Sequence, residues 1–206
     1  MSWLLENPGE VAFRTAQHLQ LTLTALALAL AIALPLGVLA ARDRRLGRPL
    51  LAALGVLYTL PSLAVFALLI PLFGLGFWTA LIALVAYAQM ILVRNVAVAI
   101  EGVPLAMREA ARGLGMSPLQ SLWRVELPQA LPVIVGGIRI ATVSLIAIAN
   151  LAAWIDAGGL GVLLFAGLRS DDTGKIVAGS LASALLAICA DLGLRALERR
   201  LARRSG

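Results

Sequence analysis

The polar stretch from Glu109 to Pro128 holds the side chains whose types and spacing could do chemistry in this chain, and that chemistry is docking. It reads Glu-Ala-Ala-Arg-Gly-Leu-Gly-Met-Ser-Pro-Leu-Gln-Ser-Leu-Trp-Arg-Val-Glu-Leu-Pro, with no His or Cys. What it has is helix punctuation. Pro104 can open a helix, because a first-turn residue needs no N–H donor, and Leu105–Leu114 suits one. Gly113 and Gly115 offer left-handed positions that can end it. Ser117 then reads as an N-cap, with Pro118 first in the next helix and Gln120 at the third position, a capping-box pattern. That second helix is expected to run to about Val125 and stop before Pro128. Ala110 and Ala111 give a smooth face that another protein could approach closely. Glu109 can accept hydrogen bonds from that partner or brace the corner internally. The same spacing also suits an ordinary amphipathic loop helix.

The elements around this stretch are those of a membrane protein. Of the 206 residues, 61% are hydrophobic and only 14% charged, and the mean hydropathy is +0.94. A soluble domain is about half apolar. From Pro49 to Val93 there is no Asp, Glu, Lys or Arg. Two membrane crossings and a turn need such a run, at about 20 residues per crossing. The pattern predicts an all-α membrane protein with one domain over 1–206 and about five spans. They are Leu19–Ala41, Leu50–Leu72 (interrupted by Pro61), Phe77–Val93, Leu131–Trp154 and Ile176–Leu194. Residues 1–18 are expected to form an interfacial helix. Residues 155–175 are too apolar at 160–168 for a plain loop and suggest a short half-inserted helix. The start carries Glu6, Glu10 and Arg14 without a basic region before a short apolar core, so no cleavable leader is expected.

The net charge of +6 does not point to nucleic acid, because the Arg residues flank apolar spans without interleaved aromatics. Five spans put Arg42, Arg44, Arg45 and Arg48, the segment Arg94–Pro128, and Arg195, Arg199, Arg200, Arg203 and Arg204 on one side. The other side holds Arg14, Arg169 and Lys175. The positive-inside rule then places the C-terminus in the cytoplasm and the N-terminus outside. Lipid is the implied solvent.

Side chains within or beside the spans form a second group of candidates. Tyr58, Pro61, Ser62, Tyr87, Arg139 and Asn150 are candidates for a gate or translocation path, with Pro61 the best hinge. Arg139 is an intramembrane charge. It could brace the loop through Glu101 or Glu126, line a vestibule, or snorkel to the interface. Asp191 and Arg195 are spaced to pair along one helix. Tyr58 and Tyr87 equally suit plain packing, and no aromatic cage for a quaternary ammonium is visible. His18 reads as structural and Cys189 as a small packing residue. No metal site is expected. There is no Gly-x-x-x-x-Gly-Lys-Ser/Thr phosphate loop.

The pattern Glu109-Ala110-Ala111, Gly115, Val125 and Leu127-Pro128 resembles the EAA loop of ABC importer permeases, with Val125 where Ile is commoner. The resemblance extends over nearly the whole chain. It implies the transmembrane subunit of a type I importer, not an enzyme, in the cytoplasmic (inner) membrane. The coupling loop 104–128 would insert a coupling helix into a cytoplasmic ATP-binding subunit, with Glu109, Ala110, Ala111, Gly115, Ser117, Leu127 and Pro128 as coupling residues. ATP and Mg would sit on that partner and no cofactor on this chain. The resemblance further implies a second permease copy or related permease, and a separate extracytoplasmic solute-binding protein. Leu60-Pro61-Ser62-Leu63-Ala64, Leu92-Val93-Arg94-Asn95, Gly158-Gly159-Leu160-Gly161 and Ala190-Asp191-Leu192 resemble the osmoprotectant branch (glycine betaine, carnitine, choline). The Gly-Gly-Leu-Gly element also resembles methionine importers. The residues alone leave open a non-transporting scaffold. They argue against an ion-coupled secondary transporter, which would need carboxylates within the spans.

Overall fold

The computed structural model describes residue 3 and residues 6–205. Its elements are helices, with no strand among the described residues. They run α1 Pro8–Arg42, α2 Arg44–Thr59, α3 Ser62–Phe73, α4 Phe77–Glu101, α5 Leu105–Gly113 and α6 Pro118–Ser121. A π-helical segment Leu122–Glu126 leads into α7 Leu127–Ala149, and a 3-10 segment Leu151–Ile155 follows. Helices α8 Gly161–Ser170 and α9 Thr173–Ser205 complete the chain. Among the described residues, four helical runs are long and apolar enough to cross a membrane: α1, α4, Pro118–Ala149 and α9. The pair α2 and α3 makes a fifth when counted as one broken span.

Helix ends depart from the expected spans where local chemistry overrides hydropathy. Helix α1 begins at Pro8, so most of the expected interfacial segment is the first turns of the first long helix; residues 1, 2, 4 and 5 lie outside the described residues. The Arg-rich stretch 42–49 between the first two expected spans is helical except at Asp43. Asp43 alone separates α1 from α2, and its Oδ1 accepts the Arg45 N–H at 2.8 Å as an N-cap. The second span is broken, with α2 and α3 meeting at 97°. Pro61 lacks the N–H that would continue α2 and holds Leu60 extended. Helix α4 continues past Val93 to Glu101, since no Gly or Pro interrupts it before Gly102. Helix α7 ends at Ala149 rather than near Trp154, and the chain tightens into the 3-10 segment before Asp156 turns left-handed (φ 59°). Helix α9 runs well beyond Leu194 because its Arg-, Leu- and Ala-rich end favours helix. The helix expected near 160–168 is α8.

The core is built around α4, which packs against α1 and α7. Along α1, Ala25, Ala29, Ala33 and Gly37 recur every four residues and are buried. Small residues at this spacing let two backbones approach. A Cβ on Gly37 would stand 2.5 Å from Val96 Cβ, and one on Gly137 of α7 would stand 2.5 Å from Asn95 Cβ. Gln89 of α4 crosses the first seam, its Nε2 donating to the Ala29 carbonyl at 3.3 Å.

Candidate functional site

The polar stretch folds as a helical corner. Helix α5 ends in a Schellman motif: Met116 N–H bonds the Ala111 carbonyl (3.1 Å) and Gly115 N–H bonds the Arg112 carbonyl (2.9 Å). The motif needs a left-handed residue, and Gly115 supplies it at φ +74°. Gly113 does not adopt this conformation. Ser117 then caps α6 with both bonds of the capping box: its Oγ accepts Gln120 N–H, and Gln120 Oε1 accepts Ser117 N–H at 2.9 Å. Around this corner Leu114 (78%), Leu119 (64%) and Trp123 (65%) are exposed, as is Glu109. Large apolar groups left in the open beside charges mark an interaction surface. Ala110 lies on that surface, but Ala111 is buried in this chain and is not part of it.

The return to the long helix differs from expectation. The chain does not stop before Pro128; it passes through the π segment and continues as α7. Leu127 N–H reaches back to the Leu122 carbonyl, a wider turn than an α-helix makes. Pro128 then falls in the first turn of α7, where its missing N–H breaks no bond.

Beneath the corner lies Glu126, which sequence reasoning did not single out as a site residue. It is 1% exposed. Its Oε1 accepts from Arg42 Nη2 (2.7 Å) at the end of α1 and from Ser121 Oγ (3.0 Å). Its Oε2 faces Arg108 Nε of α5 at 3.9 Å. Arg108 Nη2 in turn donates to the carbonyls of Ile100 and Glu101 at the end of α4. One carboxylate thus gathers the ends of α1, α5 and α7, and Arg108 adds that of α4. The sequence signal was an acid set between Val125 and Leu127, but its partners are far away along the chain.

The candidates for a translocation path do not all converge: Tyr58, Pro61, Ser62 and Tyr87 lie together, and Asn150 and Arg139 lie apart from them. Tyr58 and Tyr87 meet edge to face with ring centroids 6.1 Å apart. Tyr87 Oη donates to the Leu60 carbonyl at 2.6 Å, pinning the break at Pro61 and Ser62. Asn150 sits elsewhere, bonded to the Ile146 carbonyl (3.1 Å) and to Ser183 Oγ (2.9 Å). Arg139 neither braces the loop nor reaches Glu101 or Glu126. It pairs with Asp191 (2.8 Å) and Glu198 (3.2 Å) of α9, so Asp191 bonds Arg139 and not Arg195. Arg139 and Glu198 border a cleft of about 340 Å3 lined also by Pro132, Val133, Arg195 and Arg199. Cys189 is exposed on α9 rather than packed. No group of three or more His, Cys, Asp or Glu side chains placed to hold a metal occurs among the described residues.

His18 carries more structure than its single occurrence suggested. It is fully buried; Nε2 lies 3.1 Å from the Ile146 carbonyl and Leu160 N–H donates to Nδ1 at 3.3 Å. The donor at Nδ1 assigns the ring proton to Nε2. This bond anchors the Gly158-Gly159-Leu160-Gly161 turn on α1. Gly158 and Gly159 are left-handed there, and a Cβ on Gly161 would stand 1.9 Å from the Asn150 carbonyl oxygen.

Comparison with known proteins places this arrangement. Residues 33–203 match the family described as binding-protein-dependent transport system inner membrane component. The osmoprotectant import permease protein OsmW of Salmonella typhimurium is 45% identical over 201 residues, covering 95% of this chain and 94% of that protein. The choline transport system permease protein OpuBB of Bacillus subtilis is 38% identical, covering 98% and 93%. Among solved structures, an inward-facing conformation of the MetNI methionine ABC transporter superposes with a TM-score of 0.85 at 22% identity, over 93% of this chain and 96% of that one. At that identity the likeness speaks to the fold alone.

Proposed function

We propose a specific role for this chain, which belongs to the binding-protein-dependent transport system inner membrane component family and is a permease subunit of an ABC importer: it passes quaternary-ammonium osmoprotectants such as glycine betaine, carnitine or choline across the inner membrane. The support for that solute class is the transport function of relatives similar over almost the full chain. The observation that carries the mechanism is the capped corner of α5 and α6, with apolar side chains exposed at its tip and a buried charge cluster at its base. A cytoplasmic ATP-binding subunit receives this corner, with Glu109, Ala110, Leu114 and Leu119 at the contact. Ala111, Gly115, Ser117, Leu127 and Pro128 shape the corner behind it. ATP and Mg bind that partner. A separate solute-binding protein delivers cargo on the outer side, and a second permease copy or a related permease completes the pathway. The Arg-rich helix ends put the C-terminus in the cytoplasm and the N-terminus outside. The break at Pro61, held by Tyr87, is the gate element, and the residues over 1–206 act as one permease domain.

The test is uptake of labelled betaine, choline and carnitine by cells carrying the chain with its ATPase, compared with Glu109→Ala and Gly115→Pro at equal membrane levels. Loss of ATP-driven uptake with normal insertion is expected. Unchanged uptake in both variants would remove the coupling role. A tagged chain that repeatedly purifies without an ATPase would favour a non-transporting scaffold. Uptake of methionine alone would replace the solute class while keeping the permease.

A further inference from the structure

We propose that Arg108 and Glu126 are positioning residues that carry force from the coupling helix to the membrane helices, as a latch only half made in this conformation. The inference rests on the coupling reading above and adds the residues through which coupling is transmitted. Glu126 is engaged on one side only. Oε1 accepts from Arg42 and Ser121, whereas Oε2 is buried with no hydrogen-bond partner among the described residues. Arg108 Nε is likewise buried and unpartnered. The two face each other at 3.9 Å. Opposite charges in a shielded site normally close to about 2.8 Å, where a charge-assisted bond forms. An open gap between two such groups is therefore unfavourable, and a movement of about 1 Å removes it.

The direction of that movement matters. Arg108 belongs to α5, the element with the exposed tip, while Glu126 ends the π segment that starts α7. A push on the tip that closes the gap draws α5 onto the foot of α7. Because Glu126 also holds Arg42, the end of α1 follows, and because Arg108 holds the Ile100 and Glu101 carbonyls, the end of α4 follows too. The π segment supplies a compliant joint at the point of load, consistent with the frequent use of π-bulges at functional sites. Ser121 Oγ keeps the carboxylate aimed while the gap opens and closes.

The test uses the assembled importer in proteoliposomes, with ATP hydrolysed per solute imported as the readout. Arg108→Gln, Arg108→Lys, Glu126→Gln and the double variant Arg108→Gln/Glu126→Gln are compared with the wild type. Arg108→Gln and Glu126→Gln are each expected to raise the ATP-to-solute ratio about 2- to 30-fold at unchanged complex yield. The double variant is expected to be no worse than the poorer single one, and Arg108→Lys to recover part of the loss. Arg108→Gln keeps the test decisive if Glu126→Gln does not fold, because it leaves the bonds of Glu126 to Arg42 and Ser121 in place. An unchanged ratio in Arg108→Gln, multiplying effects in the double variant, or losses that merely follow complex yield would overturn the latch. A wild type whose ATP hydrolysis ignores solute would overturn the coupling reading itself, which the first measurement separates from failure of the latch.

Discussion

Replacing Gly115 by Ala tests whether the corner between α5 and α6 is held by backbone geometry. The residue sits at φ +74°, and nothing lies within 4 Å of the place a Cβ would occupy. Steric collision is therefore absent, and the penalty is that of a side chain forced into the left-handed region, about 1–2 kcal/mol. That energy falls on two hydrogen bonds, Met116 to Ala111 and Gly115 to Arg112. If these bonds open locally, the open population rises by about 5- to 30-fold. Hydrogen exchange followed by mass spectrometry on the purified chain reads this directly in peptides spanning 105–117. Peptides from α4 serve as the internal control, since that helix is buried between α1 and α7. Gly115→Asn should cost less than Ala, because Asn tolerates the left-handed region. Exchange in Gly115→Ala equal to wild type would refute the Schellman account. So would Asn as disruptive as Ala. Acceleration of α4 to the same extent would show that the glycine supports the whole fold and not the corner.

Two further substitutions probe the polar bonds inside the bundle. His18→Ala leaves the Leu160 N–H without its acceptor and takes a contact from the Ile146 carbonyl; a loss of about 1–3 kcal/mol is expected, visible as a lower thermal midpoint in detergent, and a wild-type midpoint would contradict the anchoring role. Tyr87→Phe keeps the ring against Tyr58 but deletes the bond to the Leu60 carbonyl; a loss of about 1 kcal/mol should raise exchange around 58–62 several-fold, and protection at the wild-type level there would show that Pro61 alone fixes the break.

The all-helical membrane fold was legible because it is written in composition. An uncharged run over 49–93 and Arg residues at its flanks leave few alternatives to spanning helices. Helix ends were less legible, since a span is a statement about hydropathy and a helix end is a statement about hydrogen bonds. Arg94 and Asn95 ended the apolar pattern, yet nothing there stops the backbone, and α4 continues to Glu101. The reverse happened at Pro61. Hydropathy runs through it unbroken, yet the missing N–H announced the interruption of the second span, and only the size of the bend, 97°, was not legible.

The candidate site divides along the same line. Ser117, Pro118 and Gln120 act on neighbours a few residues away, so the capping box is legible in the sequence, and it forms with both bonds. Gly115 was legible for the same reason. Pro128 misled because its local preference, to end a helix, is met by another route: the π segment widens the turn and the helix goes on. The contacts of Glu126, His18 and Arg139 stayed hidden because their partners lie far along the chain, at Arg42, at Leu160 and at Glu198. Spacing offers no measure of such pairs. A lone acid between apolar neighbours is nonetheless a usable clue. In a chain with so few charges, a carboxylate that must be buried needs a cation, and the Arg residues at the helix ends are the available supply. In the structure Arg42 and Arg108 fill that role at the foot of α7, where the ends of α1 and α4 and the first turn of α5 meet.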